Sequence, residues 1–157
     1  MKLQQFFEAQ ERLDNKVVEV HNLKGQSLTA NVTMALFVEL GELANEIEFF
    51  KHWKKNKRNN KDKQWDEWAD CWHFLISLGN KYGHSDKLEE INTNLIYGVH
   101  EAFDTLYKTD FSRLHEYMRA LRLLVTIGKS IGMTEEDMSQ TYFTKNQTNY
   151  ERLASGY

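Results

Sequence analysis

Proline is absent from this 157-residue chain. Its absence removes the strongest helix breaker and fits long, unkinked helices. Cysteine occurs once, which excludes an intramolecular disulfide and points to a reducing compartment. Long apolar runs are missing. No stretch approaches the roughly 18 apolar residues of a membrane span, and the first residues lack the apolar core of a signal peptide. The expected location is the cytoplasm, without a membrane partner. A strong net charge is missing as well: the formal value is -3, which argues against a general nucleic-acid binder. There is no glycine-rich phosphate loop, no C-x-x-C, no H-E-x-x-H and no internal repeat.

What remains is 41% apolar, 27% charged and 13% aromatic, the composition of a folded globular chain. The length suits one domain, residues 1–157. Three-four spacing of apolar residues recurs throughout, and the expected fold is all-α, a bundle of about six helices. A first helix runs over 3–21 on Leu3, Phe6, Phe7, Leu13, Val17 and Val20, with Gln10 and Asp14 placed where they can reach a cleft. Asn22 and Gly25 stop it. Ser27 or Thr29 caps a second helix reaching to Phe50. A third covers 63–81 and is apolar over a broad arc, as a central or interface helix would be. Cys71 reads there as a small buried hydrophobe. A fourth, capped by Ser85 or Asp86, carries Leu88, Ile91, Leu95, Val99, Phe103 and Leu106 to about Lys108. Asp110 or Ser112 caps a fifth, whose far end Gly128 and Gly132 weaken. Thr134 and Asp137 form a capping box for a sixth, over about 134–157.

Two acidic stretches organise the chain. Glu39, Glu42 and Glu46 fall within one sector of the second helix, at about 100° per residue. Leu36, Leu40, Leu43, Ile47 and Phe50 occupy the adjoining sector and must face a core. The acids therefore stand at the core's edge. Glu67 and Asp70 repeat the arrangement on the third helix, with Cys71, Leu75 and Leu78 beside them. Packed together, the two helices bring four carboxylates into one cleft, where they repel and desolvate badly. A hard cation resolves this, and oxygen-only ligands suit magnesium or manganese.

Between the acidic helices, residues 51–63 hold seven Lys or Arg against one acid, Asp62. This reads as a solvated, mobile connection or as a cationic lid for polyphosphate, and a short connection makes its helices antiparallel neighbours. Trp53, at its start, suits packing at the core boundary or stacking on a base. His73 is a ligand, a hydrogen-bonding group or a surface residue. Near the C-terminus Tyr142, Lys145, Asn149 and Arg152 form a polar stripe, either a solvated helix face or an arm carrying an amide and two phosphate-binding cations.

These residues resemble a known family. Glu39-x-x-Glu42 and Glu67-x-x-Asp70 match the pattern of the all-alpha nucleoside triphosphate pyrophosphatases. Ala35-Leu36-x-x-Glu39-Leu40-Gly41-Glu42-Leu43-Ala44-Asn45-Glu46, Phe50-Lys51-x-Trp53, Asp70-x-x-His73-Phe74 and the C-terminal Tyr142-x-x-Lys145-x-x-x-Asn149-x-x-Arg152-x-x-x-Gly156-Tyr157 narrow it. The chain is similar to the all-alpha, dimeric dUTPases of Gram-positive bacteria and their phages. The resemblance implies a four-helix core carrying a metal site, a homodimer, and cleavage of dUTP to dUMP and pyrophosphate by attack at the beta phosphorus. It implies two or three magnesium ions on Glu39, Glu42, Glu67 and Asp70, with Glu39 the first choice of general base. Lys145 and Arg152 would bind the triphosphate, Trp53 and His73 would line the base and sugar pocket, and Asn149 and Gln10 would hydrogen-bond the nucleotide. Glu46 and Tyr142 would stand behind these groups, Glu46 as a supporting partner or an extra ligand. The Lys-Asn-rich loop over 54–64 is more basic than the family pattern leads one to expect. Three alternatives compete: a related pyrophosphatase acting on dCTP or several nucleotides, a helical interaction protein without catalysis, and a nonspecific metal-binding bundle, whose helical Glu-x-x-His pairs this chain does not match.

Overall fold

The computed structural model describes residues 1–94 and 97–156. Six α-helices follow in order: α1 Gln4–Val20, α2 Thr29–Ile47, α3 Lys61–Lys81, α4 Val99–Lys108, α5 Leu114–Ser130 and α6 Glu135–Ala154. Among the described residues, one short 3-10 turn, Ser85–Lys87, interrupts the connection between α3 and α4. The all-helical expectation holds.

α3 is the centre because it is apolar on more than one side. Trp68, Cys71, Trp72, Leu75, Ile76 and Leu78 are all fully buried. It packs against α1, α2, α5 and α6. Trp68 and Trp72 stack at 5.3 Å, and the Trp68 indole donates to the Leu124 carbonyl at 2.8 Å. Each such buried apolar side chain contributes about 1.5–3 kcal/mol. α2 adds Leu36, Leu40 and Leu43, and α1 adds Phe6 and Phe7, all at most 2% exposed. The buried Cys71 thiol is pushed well up by desolvation, so it is inert packing.

Several expected boundaries move. α2 starts without a side-chain cap, with Leu28 at the N-cap position, so neither Ser27 nor Thr29 serves. α2 also stops at Ile47, because Glu48 turns left-handed at φ 56°. Phe50 lies beyond that turn and is 39% exposed, so it is not on the core face. α5 likewise lacks a side-chain cap: Arg113 is at its N-cap position, and Asp110 instead binds Ser112 in the preceding turn. The Thr134–Asp137 capping box is formed at the start of α6.

Residues 88–94 and 97–98, expected to be helical, are not. Leu88 and Ile91 are buried, but in non-helical chain. Ile91 exchanges backbone hydrogen bonds with Met1, and the Leu3 amide donates to the Glu89 carbonyl. Lys129 donates to the Thr93 carbonyl. Long-range pairing with the first residues therefore wins over a local helical pattern. Leu95 lies outside the described residues, as does Tyr157.

The basic segment is not a free linker either. Lys61 and Lys63 belong to α3, whose start the Asn60 side chain caps. Lys51, Lys54 and the Arg58 amide converge on Glu48, which is 1% exposed. Those bonds, led by Lys54 and then Arg58, hold the Glu48 carboxyl down at about 2. A left-handed non-glycine residue costs about 1 kcal/mol, and this cage offsets it.

Gly79 marks the tightest approach. An added Cβ would meet the Tyr117 hydroxyl and come within 2.7 Å of the Phe7 ring. Gly79→Ala should destabilise the fold by about 1–3 kcal/mol through overpacking, despite its better helix propensity. Urea unfolding checks this, and an unchanged or raised midpoint contradicts it.

Candidate active site

α2 and α3 bring Glu39, Glu67 and Asp70 together. Each offers a carboxylate oxygen, and the three oxygens lie within 4.8 Å of one another. Glu67 is buried, while Glu39 and Asp70 are half-buried. Burial, then the charges of Asp70, Glu42 and Glu67, push Glu39 up to about 7 against the opposing Lys145. Glu67 and Asp70 are raised too, first by burial. Glu42 is exposed and stands outside the trio, yet close enough to raise both glutamates.

Glu46 is separated from this group. It shares Glu39's side of α2 but sits seven residues on, about 10 Å along the axis. Its carboxylate accepts from Arg58 at 2.7 Å and pairs with Lys63 at 3.4 Å. It is therefore claimed by the basic segment.

Lys145 reaches in from α6 and is 7% exposed. Its ammonium lies 2.7 Å from Asp70 and 2.8 Å from Asp66. Burial alone would lower Lys145, but its bonds to the two aspartates outweigh that and raise it. Asp66 was not singled out from the sequence. The signal was present, since Asp66 and Asp70 are four apart and share a helix face.

Beside the trio is a cavity of about 400 Å³, lined by Glu39, Asp70, Gln10, Asp14, His73, Phe74, Ser77, Asn149 and Arg152, with Leu13, Val17, Leu28 and Val32 as apolar wall. A second groove of about 440 Å³ runs along Asp62, Asp66, Lys145 and Arg152. Arg152 lines both. His73 is 3% exposed, and burial drives it down to about 3, so its ring is neutral. It stacks on Tyr142 at 4.2 Å and lies 2.6 Å from the Gln10 carbonyl oxygen. The C-terminal stripe is thus not a solvated face: Tyr142 and Lys145 are buried, Asn149 is half-buried and only Arg152 is exposed. Trp53 lines neither hollow. It is 66% exposed and packs edge-on to Phe50 and His52.

The arrangement joins an oxygen-only acid trio, two cations and a pocket with an apolar wall and amide groups. That combination suits a phosphorylated ligand with a planar polar ring. A family model described as dUTPase matches residues 2–157. The chain belongs to the dUTPase family. The enzyme hydrolyses dUTP to dUMP and pyrophosphate, and its substrate is a dUTP-like nucleotide. A comparison with curated proteins finds no match. No helix among the described residues is long and apolar enough to cross a membrane. The acid trio is compatible with a divalent-metal site.

In the ion-free enzyme, the raised Glu39 carboxyl makes stability depend on pH. A carboxyl whose pKa rises on folding holds its proton more tightly in the native state. Its ionisation therefore costs stability as pH rises from about 4.5 to about 7. His73, lowered on folding, acts oppositely below 6.5, so the comparison is best made between variants. In EDTA, Glu39→Gln should match the parent near pH 4.5 and exceed it by about 1–2 kcal/mol at pH 8, after discounting for solvent screening. Chemical denaturation at both pH values tests this, and a constant difference would contradict the assigned repulsion.

Proposed function

We propose that dUTP is hydrolysed at the junction of the acid trio and the 400 Å³ cavity, on a core of α1, α2, α3 and α6 within a single domain. The observation carrying this reading is that Glu39 and Asp70 belong to both. Glu39, Glu42, Glu67 and Asp70 would hold magnesium, two or three ions, with manganese a substitute. The donor set fits, because hard cations favour carboxylate oxygens and relieve the repulsion described above. When bound, such ions neutralise phosphate oxygens and make a water more acidic.

The residues then divide the work. Glu39 takes the proton of the attacking water, since it alone of the two glutamates in the trio also lines the cavity. Lys145 gives up its aspartate partners for a phosphate oxygen, and Arg152 adds a forked donor to the triphosphate. Gln10 and Asn149 hydrogen-bond the nucleotide, while His73 and Phe74 wall the base and sugar. Tyr142 supports Gln10 and His73 from behind, and Glu46 fastens the basic segment. Trp53 is the proposed base-contacting aromatic; loop movement or a second chain must bring it to the pocket. A homodimer would cover Met34 and Val38, which are 62% and 51% exposed.

The test is pyrophosphate release from dUTP, dTTP, dCTP, dATP, dGTP and UTP, with magnesium and with EDTA. Selective, EDTA-sensitive cleavage of dUTP is expected, and Asp70→Asn should lower its kcat by at least about 100-fold without loss of fold. Metal-dependent cleavage spread evenly over the nucleotides would overturn the pocket assignment. Undiminished turnover by Asp70→Asn would overturn the metal assignment.

A further inference from the structure

Gln10 lies at the hub of a chain of hydrogen bonds joining α1, α3 and α6. Its amide nitrogen donates to Asp14 Oδ1 at 2.8 Å. Ser77 donates to the other Asp14 oxygen at 2.5 Å. The Gln10 carbonyl oxygen accepts from the Tyr142 hydroxyl at 3.0 Å and from His73 Nδ1 at 2.6 Å. Gln10, His73, Ser77 and Tyr142 are each at most 4% exposed.

We infer that Asp14, braced by Ser77, is a positioning residue that fixes which end of the Gln10 amide faces the base and thereby sets the preference for uracil over cytosine. The inference rests on the reading that the cavity takes the base.

An amide can be turned end for end with little change of shape. The groups beyond Gln10 tolerate either orientation. Tyr142 could turn its hydroxyl to the Phe6 carbonyl, 3.3 Å away. His73 could carry its proton on Nε2, which lies 3.3 Å from the Tyr142 carbonyl, leaving Nδ1 to accept. Both alternative partners are already in place. Asp14 is different: burial raises its carboxyl, but both of its oxygens already accept, one from Gln10 and one from Ser77, with Lys81 also favouring the charged form, and a carboxylate only accepts. Turning Gln10 would set two acceptor oxygens 2.8 Å apart in a partly buried site, where that repulsion is costly.

With its orientation fixed, Gln10 spends its carbonyl on Tyr142 and His73 and one N–H on Asp14. The second N–H is the amide group it has left to offer a ligand. Uracil presents carbonyl oxygens on either side of N3, whereas cytosine replaces one with an amino donor. A donor on the protein suits the first and opposes the second. Sites that leave a buried polar group unpaired discriminate strongly.

Asp14→Asn keeps the shape and removes the constraint. Its amide can accept from Ser77 and donate to a turned Gln10, which then offers the cavity an acceptor. The experiment measures Kd for dUMP and dCMP by calorimetry, together with kcat/KM for dUTP and dCTP, in the parent, Asp14→Asn, Ser77→Ala and Gln10→Ala. Asp14→Asn should reduce the dUMP:dCMP affinity ratio by about tenfold or more, with the same direction in kcat/KM. Ser77→Ala keeps the carboxylate but loosens it, and should lower the ratio about threefold; it decides the question if Asp14→Asn does not fold. A purely structural role would weaken both nucleotides alike, and an unchanged ratio in the folded variants overturns the inference. Gln10→Ala separates the two possible failures. If it lowers the ratio while Asp14→Asn does not, Gln10 reads the base without Asp14. If neither variant moves the ratio, the base-pocket reading of Gln10 is itself wrong.

Discussion

Mutual repulsion among Glu39, Glu67 and Asp70 is the constraint to which the rest of the structure answers. Three carboxylate oxygens lie within 4.8 Å, and burial together with the neighbouring acid charges raises the proton affinity of all three groups. The fold supplies a counter-charge from α6, where Lys145 bridges Asp70 and Asp66. That bridge also joins the C-terminal helix to α3, so the electrostatics of the site and the packing of its walls are coupled. The stacked Trp68 and Trp72 rings and the close approach at Gly79 stiffen the same helix from its other sides. A rigid α3 keeps Glu67 and Asp70 in register with Glu39 on α2.

The sequence made the helical elements and the acid sites legible for one physical reason. A three-four repeat of leucines fixes which way a helix faces, and acids bordering that repeat must stand at the core's edge. Glu39, Glu67 and Asp70 were found in this way. Glu46 lies in the same sector but sits further along the axis, where Arg58 and Lys63 bind it, and helix angle carries no information about that distance. Glu42 shares the sector but remains exposed beside the trio.

What escaped was set by partners distant in sequence. Residues 88–98 carry a helical pattern, yet the edge of the N-terminal segment supplies better backbone partners at Glu89 and Ile91. The basic stretch is largely exposed, as its lysines suggest, but Glu48 gathers Lys51, Lys54 and Arg58 around a carboxylate that water scarcely reaches. No local spacing announces that the acid closing one helix will organise the loop after it. Asp14 and Ser77 are similar: they are 63 residues apart, and only the packing of α1 on α3 makes them one hydrogen-bonded unit.

If Glu39, Glu67 and Asp70, with Glu42 beside them, form a cation site, a manganese titration of metal-free enzyme at pH 7.5, followed by electron paramagnetic resonance, reads it directly in the parent and Glu39→Gln. The parent should bind manganese saturably and the variant far more weakly, while both remain folded. Equal manganese uptake by the two proteins, or none by the parent in the presence of nucleotide, would contradict that assignment.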